Sequence, residues 1–173
     1  MATAVHIPVS EYLRTTYRPD RDYVDGALKA RHVGEQPHAH IQAIISGIFR
    51  ENRKLWAVRA LTEQRVQITS TRYRIPDICV IRSTDPKSAV IDFSPLLCVE
   101  VLSADDSLSE LQERVDDYAA IGAQAIWVID PWKRRGYGAS TEGFHQPADG
   151  ILTIPDTPIR ISLAEVFAEL DEF

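Results

Sequence analysis

Cysteine is scarce in this chain of 173 residues, which contains only Cys79 and Cys98. Both fall inside segments that read as buried strands, so we expect two free thiols in a reducing compartment. No apolar run approaches the roughly 20 residues needed to span a bilayer. The opening MATAVHIPVSEYL also lacks the basic start and the long apolar core of a signal peptide. We therefore expect a cytoplasmic protein.

Basic residues are outnumbered as well. The chain has 19 Lys and Arg against 25 Asp and Glu, a net charge of -6, and its isoelectric point is about 5.3. This balance argues against tight, nonspecific binding to nucleic acid. It does not exclude a nuclease, because acidic residues that hold metal ions add negative charge. Repeats and long linkers are missing too, and the length suggests one domain over residues 1–173.

The hydrophobic periodicity predicts an α/β fold, in which a mixed central β-sheet flanked by helices follows an N-terminal helix and a β-hairpin. The N-terminal helix is expected over residues 10–16. Asp25-Gly26, between two extended segments, is a strong hairpin signal. A second helix is predicted from residue 38 to about 55 by apolar residues at helical spacing. These residues are Ile41, Ile44, Ile45, Ile48, Phe49 and Leu55.

The second half of the chain reads as strand, helix, strand. Residues 96–103, LLCVEVLS, and 125–130, AIWVID, are apolar runs of strand length. Between them lies a helix that opens with a Ser107–Glu110 capping box and ends at Gly122. Such a βαβ unit predicts two parallel strands. The other predicted elements are strands at 65–68 and 74–82, edge strands within 136–153, and a short final helix capped at Ser162.

Two carboxylates stand inside strongly apolar strands. Glu100 lies within LLCVEVLS, and Asp77 lies within RIPDICVI, where Pro76 indicates an edge or a bulge. An isolated ionised carboxylate in such a place costs several kcal/mol. If the strands are neighbours, the two acids converge at one end of the sheet and suit Mg²⁺ or Mn²⁺. The alternative is that each acid pairs with a nearby arginine, such as Arg72 or Arg74.

The order of these acids resembles the PD-(D/E)xK nuclease superfamily, in which an aspartate on one strand and an acid on the next hold catalytic Mg²⁺. More narrowly, the sequence resembles the Uma2 family of restriction-endonuclease-like proteins from about residue 11 to 170. The stretches that carry this resemblance are VDGAL, HAHIQAII, RIPDICVI, SPLLCVEVLSADDS, RVDDY and IGAQAIWVIDP. The resemblance implies a restriction-endonuclease-like core, with Asp77, Glu100 and the backbone carbonyl of Val101 as metal ligands.

The superfamily's usual lysine is absent, because Leu102 stands at its position. In the Uma2 family a lysine on the following helix takes its place, and the matching residue here is Arg114, four before Tyr118. Residues four apart share a helix face, so we expect Arg114 to reach the sheet's edge. Arginine stays charged, and its planar guanidinium binds two phosphate oxygens at once. It would therefore stabilise transition-state charge but accept a proton poorly.

Three residues are candidates for accessory roles. The resemblance places His38 at the family's helix-leading histidine and Asp22 where the family often has Glu. Tyr118 is expected in the core beside the site. His32, His38 and His40 also cluster near a helix start, but the i, i+2 spacing of His38 and His40 makes a zinc site the weaker interpretation.

Further charged residues have simpler interpretations. The basic run after the last buried strand is either a phosphate contact or a solvated turn. It comprises Lys133, Arg134 and Arg135. The acidic pairs at 105–106 and 116–117 are expected to be solvated.

Together these features predict a Mg²⁺-dependent endonuclease that hydrolyses DNA phosphodiester bonds. One alternative is a nuclease-fold module that binds nucleic acid or a protein partner without turnover. Another is a metal-dependent hydrolase of a small phosphoester. Many nucleases of this superfamily act as dimers, so a homodimer is a candidate assembly.

Overall fold

A computed structural model describes residues 6–31 and 34–172, which form four helices and twelve strands. In chain order these are α1 (Val9–Arg14), β1 (Arg21–Val24), β2 (Ala27–Ala30), α2 (Gln36–Glu51), β3 (Val58–Thr62), β4 (Val66–Thr69), β5 (Arg72–Arg74), β6 (Ile78–Arg82), β7 (Leu97–Val101), α3 (Leu108–Ala120), β8 (Ala125–Asp130), β9 (Arg135–Ser140), β10 (Gly143–His145), β11 (Ile151–Thr153), β12 (Arg160–Ser162) and α4 (Leu163–Leu170).

The strands form three sheets. The largest is mixed and has the order β10-β9-β8-β7-β6-β3. In it β7 and β8 run parallel, while β6 pairs with β7 in antiparallel fashion. A second, antiparallel sheet has the order β2-β1-β5-β4, and β11 pairs with β12. The predicted α/β class with a mixed central sheet is confirmed, and so is the parallel βαβ unit.

Helices cover both faces of the mixed sheet. Side chains alternate along β7, so Leu97, Val99 and Val101 join the core formed with α2 and α4. Cys98 faces the other way, into a core with Leu111, Val115 and Tyr118 of α3. Glu100 has the same parity as Cys98 and therefore faces α3. Both cysteines are free and buried, as the sequence predicts.

Local turn and cap signals gave correct boundaries. Asp25 and Gly26 adopt positive φ values of 49° and 93° in the turn between β1 and β2, as a tight hairpin requires. Ser107 accepts a hydrogen bond from the Glu110 N–H at the start of α3. Gly122, with a φ of 81°, ends that helix in the left-handed conformation that glycine adopts without a Cβ clash.

The single strand predicted over 74–82 is wrong. It is two strands in two sheets, because β5 ends at Arg74 and β6 begins at Ile78. Pro76 has no N–H to donate to a ladder. The N–H of Ile75 donates instead to the Asp22 carboxylate, 3.0 Å away. This break places Asp77 immediately before β6.

The helix predicted from 38 to about 55 is shifted. It begins at Gln36 and ends at Glu51. The Asn52 side chain and its backbone N–H both donate to the Ile48 carbonyl, which caps the last turn. Leu55 therefore lies beyond the helix and is 77% exposed, contrary to the prediction that it joins the apolar stripe.

Strand β3 was not predicted, and several of its residues are only half buried at the edge of the mixed sheet. The edge strand expected within residues 136–153 is β10. In the described ranges, no helix is both long and apolar enough to cross a bilayer.

Candidate active site

Asp77 is fixed at the point where the chain enters β6. Its Oδ2 accepts a hydrogen bond from the Val101 N–H at 2.7 Å, which links it to the end of the neighbouring strand β7. Its backbone carbonyl accepts from Gln42 Nε2 of α2 at 2.8 Å. The residue is only 5% exposed. Because both its backbone and its carboxylate are held, Asp77 presents its remaining oxygen, Oδ1, in a fixed direction.

Glu100 is held from the opposite side of the sheet by α3. The Tyr118 hydroxyl donates to Glu100 Oε1 at 2.5 Å. One turn earlier on the same helix face, Arg114 Nε lies 3.3 Å from Glu100 Oε2. The sequence predicted this approach of Arg114 to the sheet from the i, i+4 relation to Tyr118. Tyr118 is fully buried, so it is a core residue and a partner of the site at once.

Arg31 joins the two carboxylates and was not anticipated. Its Nη2 lies 2.7 Å from Asp77 Oδ1 and 3.6 Å from Glu100 Oε2. Those two oxygens therefore lie no farther apart than the sum of the two distances, and the structure brings Asp77 and Glu100 together. Arg31 follows β2 and is far from both acids in sequence, so no spacing rule connects them.

Asp22, which was predicted as an accessory residue, lies next to this centre and contacts it through Arg31. It is 3.7 Å from Arg31 Nη1, and its closer partner is Arg74, 3.1 Å away. Arg74 also donates to Asp117 at 2.6 Å. Asp22 thus connects Arg31 to a second buried ion-pair network formed by β1, β5 and α3.

Several charged residues have different partners from those expected. Asp117 is buried between Arg72 and Arg74, so its prediction as a solvated charge is wrong. Asp106 forms an ion pair with Arg114 at 3.0 Å and accepts a hydrogen bond from the Ser103 N–H at 2.7 Å, so it too is not simply solvated. The alternative to a metal site was that Asp77 and Glu100 pair with nearby arginines such as Arg72 and Arg74. They bind other acids instead because their strand, β5, belongs to the second sheet.

Of the three clustered histidines, His38 lies in the site. Its Nε2 is 3.4 Å from Asp77 Oδ2, in the first turn of α2. His40 lies on another side of the helix, beside Arg134 and Leu170, as the i, i+2 spacing predicts. His32 falls outside the described residues.

The ionisation of the centre is uneven. Burial acts to raise the pKa of Asp77, but Arg31 and His38 outweigh it, and the pKa lies below its usual value. Burial raises the pKa of Glu100, and Arg114 and Arg31 offset this only in part. Burial acts to lower the pKa of His38, yet its contact with Asp77 raises the pKa overall. Asp77 is therefore the firmly ionised acid, and Glu100 takes up a proton more readily.

A cleft leads from the surface to this centre. It has a volume of about 570 Å³ and reaches Arg31, His38 and Asp77, while its outer wall is residues 16–20 and Glu63. A small pocket of about 20 Å³ adjoins it at Arg31, His38 and Asp77 and is also lined by Glu100 and Arg114. That volume is enough for about one water molecule. The two acids are thus buried but reachable from solvent.

The basic run is at the same end of the sheet as Val101, because it follows β8, which is parallel to β7. Arg134 forms an ion pair with Asp171 and donates to the Pro131 carbonyl. In the part of the chain that the structure describes, none of Lys133, Arg134 and Arg135 forms an ion pair with Asp77 or Glu100. The basic run therefore lies at the same edge of the sheet as the site, but it is not part of the centre that Asp77 and Glu100 form.

The donors at the centre fit a hard divalent cation. Asp77 Oδ1 and Glu100 Oε2 both face the Arg31 Nη2 position, and carboxylate oxygens are preferred by Mg²⁺ and Mn²⁺. Among residues 6–31 and 34–172, no three His, Cys, Asp or Glu side chains are grouped so as to hold a metal. Mg²⁺ commonly takes one or two carboxylates and completes its shell with water and substrate oxygens. The site therefore fits a Mg²⁺ ion held by two carboxylates, whose position would coincide with that of the Arg31 guanidinium.

The structure has the arrangement expected of a restriction-endonuclease-like core. Two acids converge from adjacent strands of a mixed sheet, and the next helix supplies a positively charged side chain. The chain belongs to the Uma2 family, described as "Putative restriction endonuclease", whose model matches residues 9–170. The resemblance seen in the sequence is thereby confirmed.

Comparison with solved structures supports the fold. The chain is similar to "a putative nuclease belonging to DUF820 from Anabaena variabilis ATCC 29413", with a TM-score of 0.81 and 21% identity over 95% of this chain and 99% of that one. A weaker likeness, with a TM-score of 0.42 and 14% identity, is to a DrdV–DNA complex and covers 76% of this chain and 11% of that one. No curated protein matches the chain.

Proposed function

We propose that this protein is a Mg²⁺-dependent endonuclease that hydrolyses phosphodiester bonds in DNA. The observation that carries the proposal is the convergence of Asp77 Oδ1 and Glu100 Oε2 on the position of Arg31 Nη2, next to a cleft that Asp77 and Arg31 line. Membership of the Uma2 family supports the same reaction class. Two free, buried thiols are what a cytoplasmic enzyme would have.

In this proposal Asp77, Glu100 and the Val101 carbonyl hold Mg²⁺, or Mn²⁺ in its place. The bound ion would lower the pKa of a water molecule and neutralise charge on the scissile phosphate. The Val101 N–H keeps Asp77 Oδ2 occupied, so Oδ1 is the oxygen left for the metal. Tyr118 does the same for Glu100 by binding Oε1, so Oε2, which lies 3.3 Å from Arg114 Nε, is the oxygen that would contact the metal.

Arg114 has the role of a fixed positive charge. It lies 3.3 Å from Glu100 and 3.0 Å from Asp106, so its guanidinium is held at the edge of the centre. Burial acts to lower the pKa of Arg114, but Glu100 and the other acidic groups around it outweigh burial, and the pKa lies above its usual value. It therefore stabilises negative charge that develops on the phosphate and does not accept a proton from water. We expect slow cleavage as a consequence.

Phosphates outside the scissile bond need further contacts. His38 and Arg18 line the cleft, and Lys133, Arg134 and Arg135 follow β8 at the same end of the sheet. Such groups suit backbone contacts, which position DNA without reading its sequence. Because such contacts release counter-ions from the DNA, this binding should weaken as the salt concentration rises.

A second candidate function is a module that binds nucleic acid or a protein partner without turnover. The observation that favours it is that the buried acids already have arginine partners, Arg31 and Arg114, so their charge is balanced without a metal. Loss of the family's lysine at position 114 would then have removed catalysis while the fold remained.

Nicking of supercoiled plasmid separates the two functions. We expect slow, Mg²⁺-dependent nicking by the wild type, none in EDTA, and none by Asp77→Asn. Asp92→Asn, which removes an exposed carboxylate elsewhere on the surface, is the matched control and should nick like the wild type. Binding of the same plasmid without any nicking by the wild type would favour the binding module.

A further inference from the structure

We propose that Arg31 is a displaceable counter-ion. In the metal-free protein its guanidinium occupies the divalent-cation position, and when the cation binds, the side chain moves out into the cleft and becomes a phosphate contact. This inference rests on the proposed function, because it concerns the metal site assigned there.

Its first support is the position of Arg31 Nη2. The same nitrogen contacts Asp77 Oδ1 and approaches Glu100 Oε2, at 2.7 and 3.6 Å. Asp77 Oδ1 and Glu100 Oε2 are the two oxygens that Val101 and Tyr118 do not bind, and Arg114 Nε also lies 3.3 Å from Glu100 Oε2. A divalent cation bound to both would lie within a few ångströms of the guanidinium, and like charges repel strongly at that range in a buried site. Arg31 and the metal therefore compete for one position.

The second support is that the guanidinium is incompletely satisfied where it lies. Arg31 Nη1 is buried and has no hydrogen-bond partner in the described part of the chain. Its nearest acid, Asp22, is 3.7 Å away and is bound more closely by Arg74. A buried donor without a partner disfavours the conformation that contains it. Asp22 would keep Arg74 if Arg31 moved away.

The third support is that Arg31 has somewhere to go. It lines the cleft of about 570 Å³, and its side chain is 14% exposed. Asp20 and Glu63 on the cleft wall can receive the guanidinium before DNA arrives. When DNA enters, the planar fork of Arg31 matches two oxygens of a phosphate. The motion needs only rotation about side-chain bonds, because Arg31 already lines the cleft.

The competition predicts the direction of a change in metal affinity. Arg31→Met keeps length and removes the charge, so we expect it to lower the Kd for Mn²⁺ by about tenfold or more, within the range usual for coupled sites. Arg18→Met is the matched control, since it removes a positive charge from the same cleft at a residue with no ion pair to either acid in the described ranges. It should change the Kd far less.

The experiment is calorimetric titration of metal-free protein with MnCl₂, together with thermal melting in EDTA and in excess Mn²⁺. Arg31→Met removes the counter-ion that the two buried acids share, so it should melt below the wild type in EDTA and recover more than the wild type when Mn²⁺ is added. If Arg31→Met is unfolded in EDTA, the return of a melting transition when Mn²⁺ is added would support the same competition between Arg31 and the metal. Arg31→Lys, which keeps the charge on a more flexible stem, should bind Mn²⁺ less tightly than Arg31→Met.

Two results would overturn the inference. If wild type and Arg31→Met bind Mn²⁺ with the same Kd, and Asp77→Asn abolishes binding in both backgrounds, the metal site exists but Arg31 does not compete for it. The proposed function would then stand without this inference. If neither protein binds Mn²⁺, even when Arg31 is absent, the metal site itself fails, and the proposed function fails with it.

Discussion

The Tyr118 hydroxyl donates a 2.5 Å hydrogen bond to Glu100, and this bond joins helix α3 to the middle of the mixed sheet. Both residues are buried, and burial together with the Glu100 charge raises the pKa of Tyr118, so the phenol stays protonated as the donor. The bond has two consequences. It removes one carboxylate oxygen from competition, and it turns the other toward Asp77.

Tyr118→Phe should therefore destabilise the protein and weaken metal binding. A buried carboxylate that loses its hydrogen-bond donor costs about 1 to 3 kcal/mol of unfolding free energy. Urea denaturation followed by circular dichroism measures this loss. Tyr73→Phe is the control, because Tyr73 is also buried but its hydroxyl makes no hydrogen bond within the described residues. Equal losses in the two variants would show that ring packing, and not the bond to Glu100, sets the stability.

Arg114→Lys should raise Mg²⁺-dependent nicking of supercoiled plasmid. Lysine can orient the attacking water and exchange a proton, whereas arginine keeps its charge. We expect a gain of about tenfold or more, inside the roughly 10² to 10⁴ typical of general acid-base contributions. Arg114→Ala should weaken both DNA binding and nicking, since it removes the charge that lies 3.3 Å from Glu100. Wild type that nicks as well as Arg114→Lys would show that arginine is a competent substitute.

Divalent metal should stabilise the wild type against heat. A ligand at 100 times its Kd adds about 2.7 kcal/mol to the free energy of unfolding, or roughly 5 to 10 °C in Tm for a chain of this size. Asp77→Asn should abolish the gain with Mg²⁺ or Mn²⁺ while the fold is kept, because it removes one of the two converging ligands. Scanning calorimetry of both proteins is the measurement. An identical response to metal in the two would place the ion elsewhere.

Much of the fold was predictable because local signals and tertiary structure agree. The Asp25-Gly26 turn, the Ser107 cap and Gly122 each act within a few residues, so tertiary structure did not override them. The pairing of the acids was predictable for a different reason. A carboxylate in an apolar strand needs a partner. When two such strands each carry one carboxylate, as with Asp77 and Glu100, few arrangements of the strands give both carboxylates a partner.

The nature of that partner was not predictable in the same way. Arg31 reaches the acids through the junction of two sheets, and Asp117 is buried only because β5 carries Arg72 and Arg74 past α3. Contacts of that kind depend on how the sheets pack, and no periodicity or spacing encodes them. Pro76 did carry the relevant signal, but a bulge and a change of sheet look alike in sequence.

The His38–Asp77 contact predicts how ionisation in the metal-free site depends on pH. Because the contact raises the pKa of His38 in the folded state, His38 adds stability that is fully present below its unfolded pKa of about 6.5 and is lost as pH rises through the folded pKa. Titration of the His38 ring by NMR in EDTA should show the raised pKa directly. Asp77→Asn should lower it, since the anion 3.4 Å from Nε2 is gone.

The control for that titration is Asp92→Asn. Asp92 is exposed, and within the described ranges it makes no ion pair with His38, so the His38 curve should be unchanged. Denaturation of the wild type in EDTA should show the same linkage, with the His38 contribution declining as pH rises above its unfolded pKa of about 6.5 and unaltered by Asp92→Asn. If Asp77→Asn left the His38 titration where it is in the wild type, the carboxylate would not be the group that holds the proton on the ring, and His38 would be no part of the ionised centre.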